Sequence, residues 1–431
     1  MTLAPPRGMR DFYPEDFRRR EALFGVWREV SALHGFEGYD APVVETQELL
    51  TRKAGEEIVE QIYAFSDKSG RGLALRPEMT PSLARMIIAR QGALAFPLKW
   101  WTIAQCFRYE RMTRGRKREH YQWNLDVVGE ESVMAEAEVI GAAVEALRRL
   151  GLRDDEFRVR VGSRALLAAL FQRIGIGPEH FLPTCLALDK RGKISDAATR
   201  ELLEGEGLDL PAIDRVFELL ALRTIDEAAE RVGPDGERAV EELRELFALA
   251  GGFGFAEPLV FDVAIVRGLG YYSGIVFEAY DAAGRFRAIF GGGRYDNLLK
   301  DLGGQRCPCV GLGFGDVVIF EVLEALDRLP STAAPPPLAL GYMTPACRAL
   351  AIRAAATLRK AGYPVDLGGT AEKPKKFFAR ANRVGSEWGL YVGPEEAERG
   401  CVALKNMRSG EQQSLPLEAL PGPLGSLVPR P

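Results

Sequence analysis

The sequence predicts an α+β protein in two parts: a large domain with a mostly antiparallel sheet flanked by helices, carrying a helical insertion, and then a small α/β domain. Three observations predict it. Between Trp100 and Gly129, two runs rich in β-branched and aromatic residues bracket a strongly basic loop, which reads as a hairpin with a charged tip. From about 165 to 252, Leu and Ala recur every three to four residues with charge on the other face, and this helical block lies between two strand-like runs, FRVRVG and LVFDVAIV. At 331–340 the segment STAAPPPLAL holds three consecutive prolines, which favour an extended spacer.

These signals divide the chain into 1–330, a linker at 331–340, and 341–431. Helical periodicity runs from Arg18 to Leu33, and Pro42 opens a short apolar strand. The stretch LALRPEMTPSLARMIIARQG gives a strand, a turn at Pro77 and a helix from Thr80 or Pro81. Beyond the insertion come two further strands, a Gly-rich turn in FGGGRYDNLL, and a strand running into a helix in VGLGFGDVVIFEVLEAL. The last part alternates strand and helix, with helices at Ala346–Ala361 and Lys373–Val384 and a closing helix after CVALKNM, which predicts a largely parallel sheet.

Composition narrows the function. A hydrophobic fraction of 47% with 27% charged residues is that of a globular protein rather than a disordered one. The N-terminal stretch lacks the apolar core of a signal peptide and no apolar run is long enough to cross a bilayer, so a cytoplasmic protein with no membrane partner is expected. A formal charge of -4 argues against binding nucleic acid through a globally basic surface, so any RNA contact must use local patches. Of six cysteines only Cys307 and Cys309 are close together, and there are three histidines, so no metal-ligating set is expected.

The residues that can carry chemistry fall in four segments. In the hairpin, Arg108, Arg111, Arg114, Arg116, Lys117 and Arg118 crowd together, and either water or a polyanion must offset their repulsion. Arg108 alternates with Phe107 and Tyr109, so it points to one face of a sheet, where its planar fork can clamp a phosphate and a carboxylate; Glu110 can accept from an adenine amino group. RGLGYYSGIVFE joins Arg267 to Tyr271 and Tyr272, and LRPEMT sets Glu78 and Thr80 on a turn. In the tail Lys373, Lys375, Lys376, Arg380 and Arg383 are compatible with one helix face suited to phosphates.

In order along the chain, LRPEMT, FRYERMTRGRKREHYQ, RGLGYYSGIVFE and a tail ending KNMRSGEQ make the sequence similar to the histidyl-tRNA synthetase family of class II aminoacyl-tRNA synthetases. The resemblance covers nearly the whole length. It implies a class II synthetase-like core, an anticodon-binding-like domain, and an aminoacyl-tRNA ligase that activates L-histidine with ATP and Mg2+ and then loads it onto the 3' end of tRNA(His). By position it implies Arg108 and Arg267 at the α-phosphate and the histidine, and Glu78, Thr80 and Gln122 at the α-ammonium. Asp126, Tyr271 and Tyr272 would meet the imidazole, while Glu110 and Gly315 would join the two arginines in binding ATP. Arg114, Arg116 and Lys117 in the hairpin, with Lys375, Lys376 and Arg380 in the tail, would contact tRNA. The Pro42 segment is similar to the family's dimer-forming motif, implying a homodimer.

Two positions depart from the pattern. Val318 stands where the family has an Arg that grips the distal phosphates, and Gly270 where it usually has Asp. Arg306 and Arg294 are the candidate replacement cations. The same departures favour an alternative, a non-catalytic histidine-sensing regulatory paralogue of ATP phosphoribosyltransferase, which the intact Arg108, Arg267 and full-length tail oppose.

Overall fold

The computed structural model describes residues 3–52, 56–191, 194–265, 271–333 and 337–422. The chain divides into two units, Met1–Thr332 and Ala333–Pro431, each with its own sheet and apolar core.

The first unit is organised by the hairpin. Its strands, Leu98–Phe107 and Glu119–Val128, pair antiparallel from Leu98 opposite Val128 to Phe107 opposite Glu119. They sit in an eight-stranded sheet ordered Glu37–Gly38, Leu98–Phe107, Glu119–Val128, Cys309–Gly315, Phe290–Arg294, Ile275–Asp281, Phe157–Ser163, Leu259–Phe261. The two outermost pairings are parallel and all those between are antiparallel. Alternation sorts the Glu119–Val128 side chains between the two faces. Trp123, Leu125 and Val127 enter an apolar core shared with the helices Pro14–Leu33 and Met134–Arg149. Trp27 stacks on Trp123 with ring centroids 6.0 Å apart and meets Phe314 edge-on at 5.4 Å. Gln122, Asn124 and Asp126 are left for the other face.

FGGGR is a strand and not the turn that its glycines suggest. Phe290–Arg294 is buried along its length between two neighbours. Close approach of backbone explains the composition: a Cβ on Gly292 would lie 2.1 Å from the carbonyl oxygen of Gly311, and one on Gly293 would lie 2.7 Å from that of Ile275. The insertion is helical from Arg164–Arg173 to Glu237–Phe253, and Ser163, Ser195, Asp209 and Thr224 each cap a helix start by accepting a backbone N–H.

In the second unit the strand Leu338–Tyr342 begins inside the segment read from sequence as linker, of which 334–336 lie outside the described residues. The sheet order is Val365–Leu367, Leu338–Tyr342, Trp388–Val392, Cys401–Asn406, Gln412–Pro416. The first three strands are parallel, but the last two add antiparallel, so the sheet is mixed and not largely parallel. After CVALKNM the chain turns at Gly410, with φ +78°, and returns as a strand followed by a short 3-10 turn where a closing helix was expected.

Gly292→Ala should destabilise the first unit by roughly 3 kcal/mol, because the contact is with backbone and cannot relax by a rotamer change. A thermal melt in which the variant unfolds at the wild-type temperature would sink the close-approach account.

Candidate active site

On the open face of the sheet, Gln122, Asn124 and Asp126 line a solvent-open pocket of about 410 Å³. Its floor is hollow because glycine faces glycine: Gly291 pairs with Gly313 and Gly293 with Gly311. The space so released is taken by polar side chains. A Cβ on Gly311 would come within 2.2 Å of Asp126 Oδ1, and one on Gly313 within 1.8 Å of Gln122 Nε2.

The turn before Thr80 supplies a second wall. Arg76 is buried, and it donates from Nε to the Gln105 carbonyl at 3.0 Å and from Nη1 to the Ala41 carbonyl at 2.7 Å, which clamps LRPEMT to the hairpin. The next carbonyl, that of Pro77, accepts from Arg108 Nε at 2.9 Å. One turn therefore positions both Glu78 and Arg108 at the pocket, with Thr80 opening the helix Thr80–Arg90 beside them. Because Nε of Arg108 is occupied, its two Nη groups are those that a ligand can meet. Arg108 itself lies one residue past the end of its strand rather than inside it.

Tyr271 and Tyr272 close the pocket, their ring centroids 5.0 Å apart, and the Tyr271 hydroxyl donates to Glu78 Oε2 at 3.1 Å. Tyr295 packs edge-on to Tyr271 and donates to Asp126 Oδ1 at 2.6 Å. Burial pushes the Asp126 carboxyl up to about 7 even though that hydrogen bond favours its charged form. Asn124 Oδ1 is buried and has no partner among the described residues, an orphan acceptor beside an aspartate that titrates near neutrality. Sequence reasoning missed Asn124 and Tyr295. The alternation that selects 122 and 126 also selects 124, but Tyr295 carries no such signal.

Other residues singled out from sequence lie elsewhere. Arg267 and Gly270 are outside the described residues. Gly315, opposite Gln122, ends its strand and caps the helix Asp316–Ala325. Glu110 is buried at the hairpin and takes Arg116 Nε at 2.7 Å, so a base can use Glu110 only by sharing it with that guanidinium. Lys117 is exposed, and Arg114, also exposed, lies 3.7 Å from Glu321.

Neither candidate replacement for Val318 fits that role. Arg294 is locked to the buried Glu136, Nε to Oε1 at 2.7 Å and Nη2 to Oε2 at 2.6 Å. It stands opposite Val310, five positions before Gly315 and roughly 16 Å back along the strand. Arg306 sits at that same end, 3.6 Å from Asp296 and 3.7 Å from Glu131. In the second unit Lys375 and Lys376 are exposed on the helix Pro374–Arg383, but Arg380 is turned inward to Asp366 and Glu372, so its charge is balanced within the fold.

Asp126 has a pH signature. Its folded pKa of about 7 lies above the ordinary carboxylate value, so the stability it contributes is full below about 4 and is lost as pH rises to 7. Relative to Asp126→Asn, the wild type should lose on the order of 2 kcal/mol between pH 5 and 8. Parallel melting curves for the two proteins across that range would contradict the burial argument.

Comparison with known proteins gives the family. Residues 8–315 match the family model for histidyl-tRNA synthetase, and residues 338–426 match that for an anticodon binding domain. The histidine--tRNA ligase, chloroplastic/mitochondrial, of Arabidopsis thaliana is 44% identical over 97% of this chain and 86% of its own length. A histidine--tRNA ligase of Opitutus terrae is 36% identical over 95% of each chain. Among solved structures, histidyl-tRNA synthetase from Nostoc sp. superposes with a TM-score of 0.79 at 23% identity, covering 99% of this chain and 100% of that one, which is a likeness of fold. With a pocket built on the predicted strands, a family match across most of the first unit and a near full-length relative at 44% identity, this chain belongs to the histidyl-tRNA synthetase family.

Proposed function

We propose that this chain activates L-histidine with ATP to histidyl-adenylate and transfers the histidine to the 3' end of tRNA(His). The observation that carries the reading is the convergence of Arg108, Glu78, Asp126 and the Tyr271–Tyr272 pair on one pocket in a chain of this family. The match of residues 338–426 to an anticodon binding domain supports the tRNA step over a purely histidine-sensing role.

In the first step a histidine carboxylate oxygen attacks the α-phosphorus of ATP, the bond to the bridging oxygen breaks, and pyrophosphate leaves. The Nη groups of Arg108 meet the charge that develops, and Arg267 is assigned as the second cation. Glu78, Thr80 and Gln122 receive the α-ammonium. Asp126, Tyr272 and the orphan acceptor of Asn124 give the imidazole partners for its ring nitrogens, which an amino acid without both a donor and an acceptor leaves unpaired. Glu110 and Gly315 are assigned to ATP. In the second step the terminal ribose hydroxyl attacks the adenylate carbonyl and AMP leaves. Arg114, Arg116 and Lys117 face the acceptor end in this reading, and Lys375 and Lys376 the anticodon side, while Arg380, paired with Asp366 and Glu372, holds the helix that presents them.

Mg2+ enters with ATP as part of the substrate. It would offset the negative charge of the triphosphate alongside Arg108 and Arg267. No helix of the described residues is long and apolar enough to cross a membrane, and the reading places the enzyme in the cytoplasm. The reading also makes it a homodimer: Val44 and Phe65 are large apolar side chains left exposed on the small sheet of Val44–Thr46, Tyr63–Ser66 and Gly72–Leu75, and Val43 is exposed just before it.

Histidine-dependent exchange between ATP and pyrophosphate, followed by charging of tRNA, tests the reading. Arg108→Ala should lower exchange by about a hundredfold; wild-type protein that binds histidine without exchanging would overturn the enzyme assignment. Replacing Lys375 and Lys376 together with Ala should raise the KM for tRNA while leaving exchange alone. Sedimentation equilibrium should give twice the chain mass of 47.4 kDa, and a monomer at micromolar concentration would refute the dimer.

A further inference from the structure

Adenylation needs a cation for the distal phosphates, and Val318, buried in the apolar core, supplies none. Three features meet at this place. The tip of the basic hairpin folds over the helix Asp316–Ala325, where the Gly115 N–H donates to Glu321 Oε1 at 2.8 Å. Beneath the tip, a Cβ on Gly115 would lie 3.5 Å from Val318 Cγ2 and also 3.5 Å from Arg287 Cδ. Beside it, the space over Gly315 is open, with nothing within 4 Å of where its Cβ would be. The Arg287 stem and Val318 therefore lie under the same point of the hairpin tip, at the end of the sheet where Phe290 pairs with Phe314 and the strand runs out at Gly315.

Its backbone is held there. Asp281 accepts from the Arg285 and Phe286 N–H groups at 3.2 and 3.0 Å, and the Ile289 N–H donates to the Ala279 carbonyl at 2.7 Å, so Arg287 is bracketed by fixed points. Phe286 lies under the Arg114 guanidinium at 4.7 Å, which ties the same loop to the hairpin tip. We propose that Arg287 contacts the distal phosphates of ATP and supplies from the strand-connecting loop the charge that the helix lacks at Val318. This rests on the adenylation reading. Position carries the assignment: Arg294 and Arg306 stand at the far end of the same strand, and Arg287 stands at the near one.

Direct titration separates this role from a structural one, because AMP has no distal phosphates. Arg287→Gln should weaken ATP binding by about a hundredfold and lower kcat/KM for ATP in exchange to match. AMP and histidine binding should stay within about twofold of wild type, and Arg287→Lys should recover part of the loss as a point charge without the planar fork. Equal weakening for ATP and AMP, or ATP binding left unchanged by the Gln variant, overturns the proposal while the adenylation reading stands. If the wild-type protein itself gives no histidine-dependent exchange, that reading fails and this assignment falls with it.

Discussion

One register of hydrogen bonds, between Leu98–Phe107 and Glu119–Val128, decides what faces the core and what faces the pocket. A slip of a single residue would turn Gln122, Asn124 and Asp126 inward and lift Trp123 and Leu125 out. Both halves of that exchange are costly, since each polar group sent into the core without a partner costs several kcal/mol and each large apolar side chain brought out loses about 2 kcal/mol of burial. Stacking of Trp27 on Trp123 secures the register from the core side. The floor of the site is thus a by-product of a well-specified hydrophobic core, and the turn at Pro77 sets Glu78 and Arg108 beside it.

Charge is managed by the same sheet. Arg294 and Glu136 are both buried, and the pair is tolerable because the geometry is two-pronged and Arg294 also donates to the carbonyls of Glu130 and Ser132. Asp126 has only the Tyr295 hydroxyl among the described residues, so its charge is poorly compensated. The contrast marks the first as architecture, and it supports the proposal that the second meets a ligand.

Much of this was legible from residues alone, for a physical reason. Strand alternation and a basic tip announce a hairpin, and helical periodicity announces the insertion. FGGGR was misread because glycine leaves no hydrophobic pattern, and close backbone approach is a property of neighbouring strands that a linear sequence does not display. Arg380 was grouped with the lysines by spacing, yet Asp366, fourteen positions earlier, takes its charge. The places of Arg294 and Arg287 were equally hidden: both lie near Val318 in sequence, but the antiparallel pairing puts one at each end of the strand.

The glycine floor has a further consequence for how such a site can change. Side-chain volume at 126 and at 311 is one shared quantity, since the carboxylate already fills the place of the missing methyl. The same holds for 122 and 313. A lineage that acquires a methyl on one strand must shorten or withdraw the acid or amide on the other, so drift in substrate preference is channelled into paired replacements across two neighbouring strands.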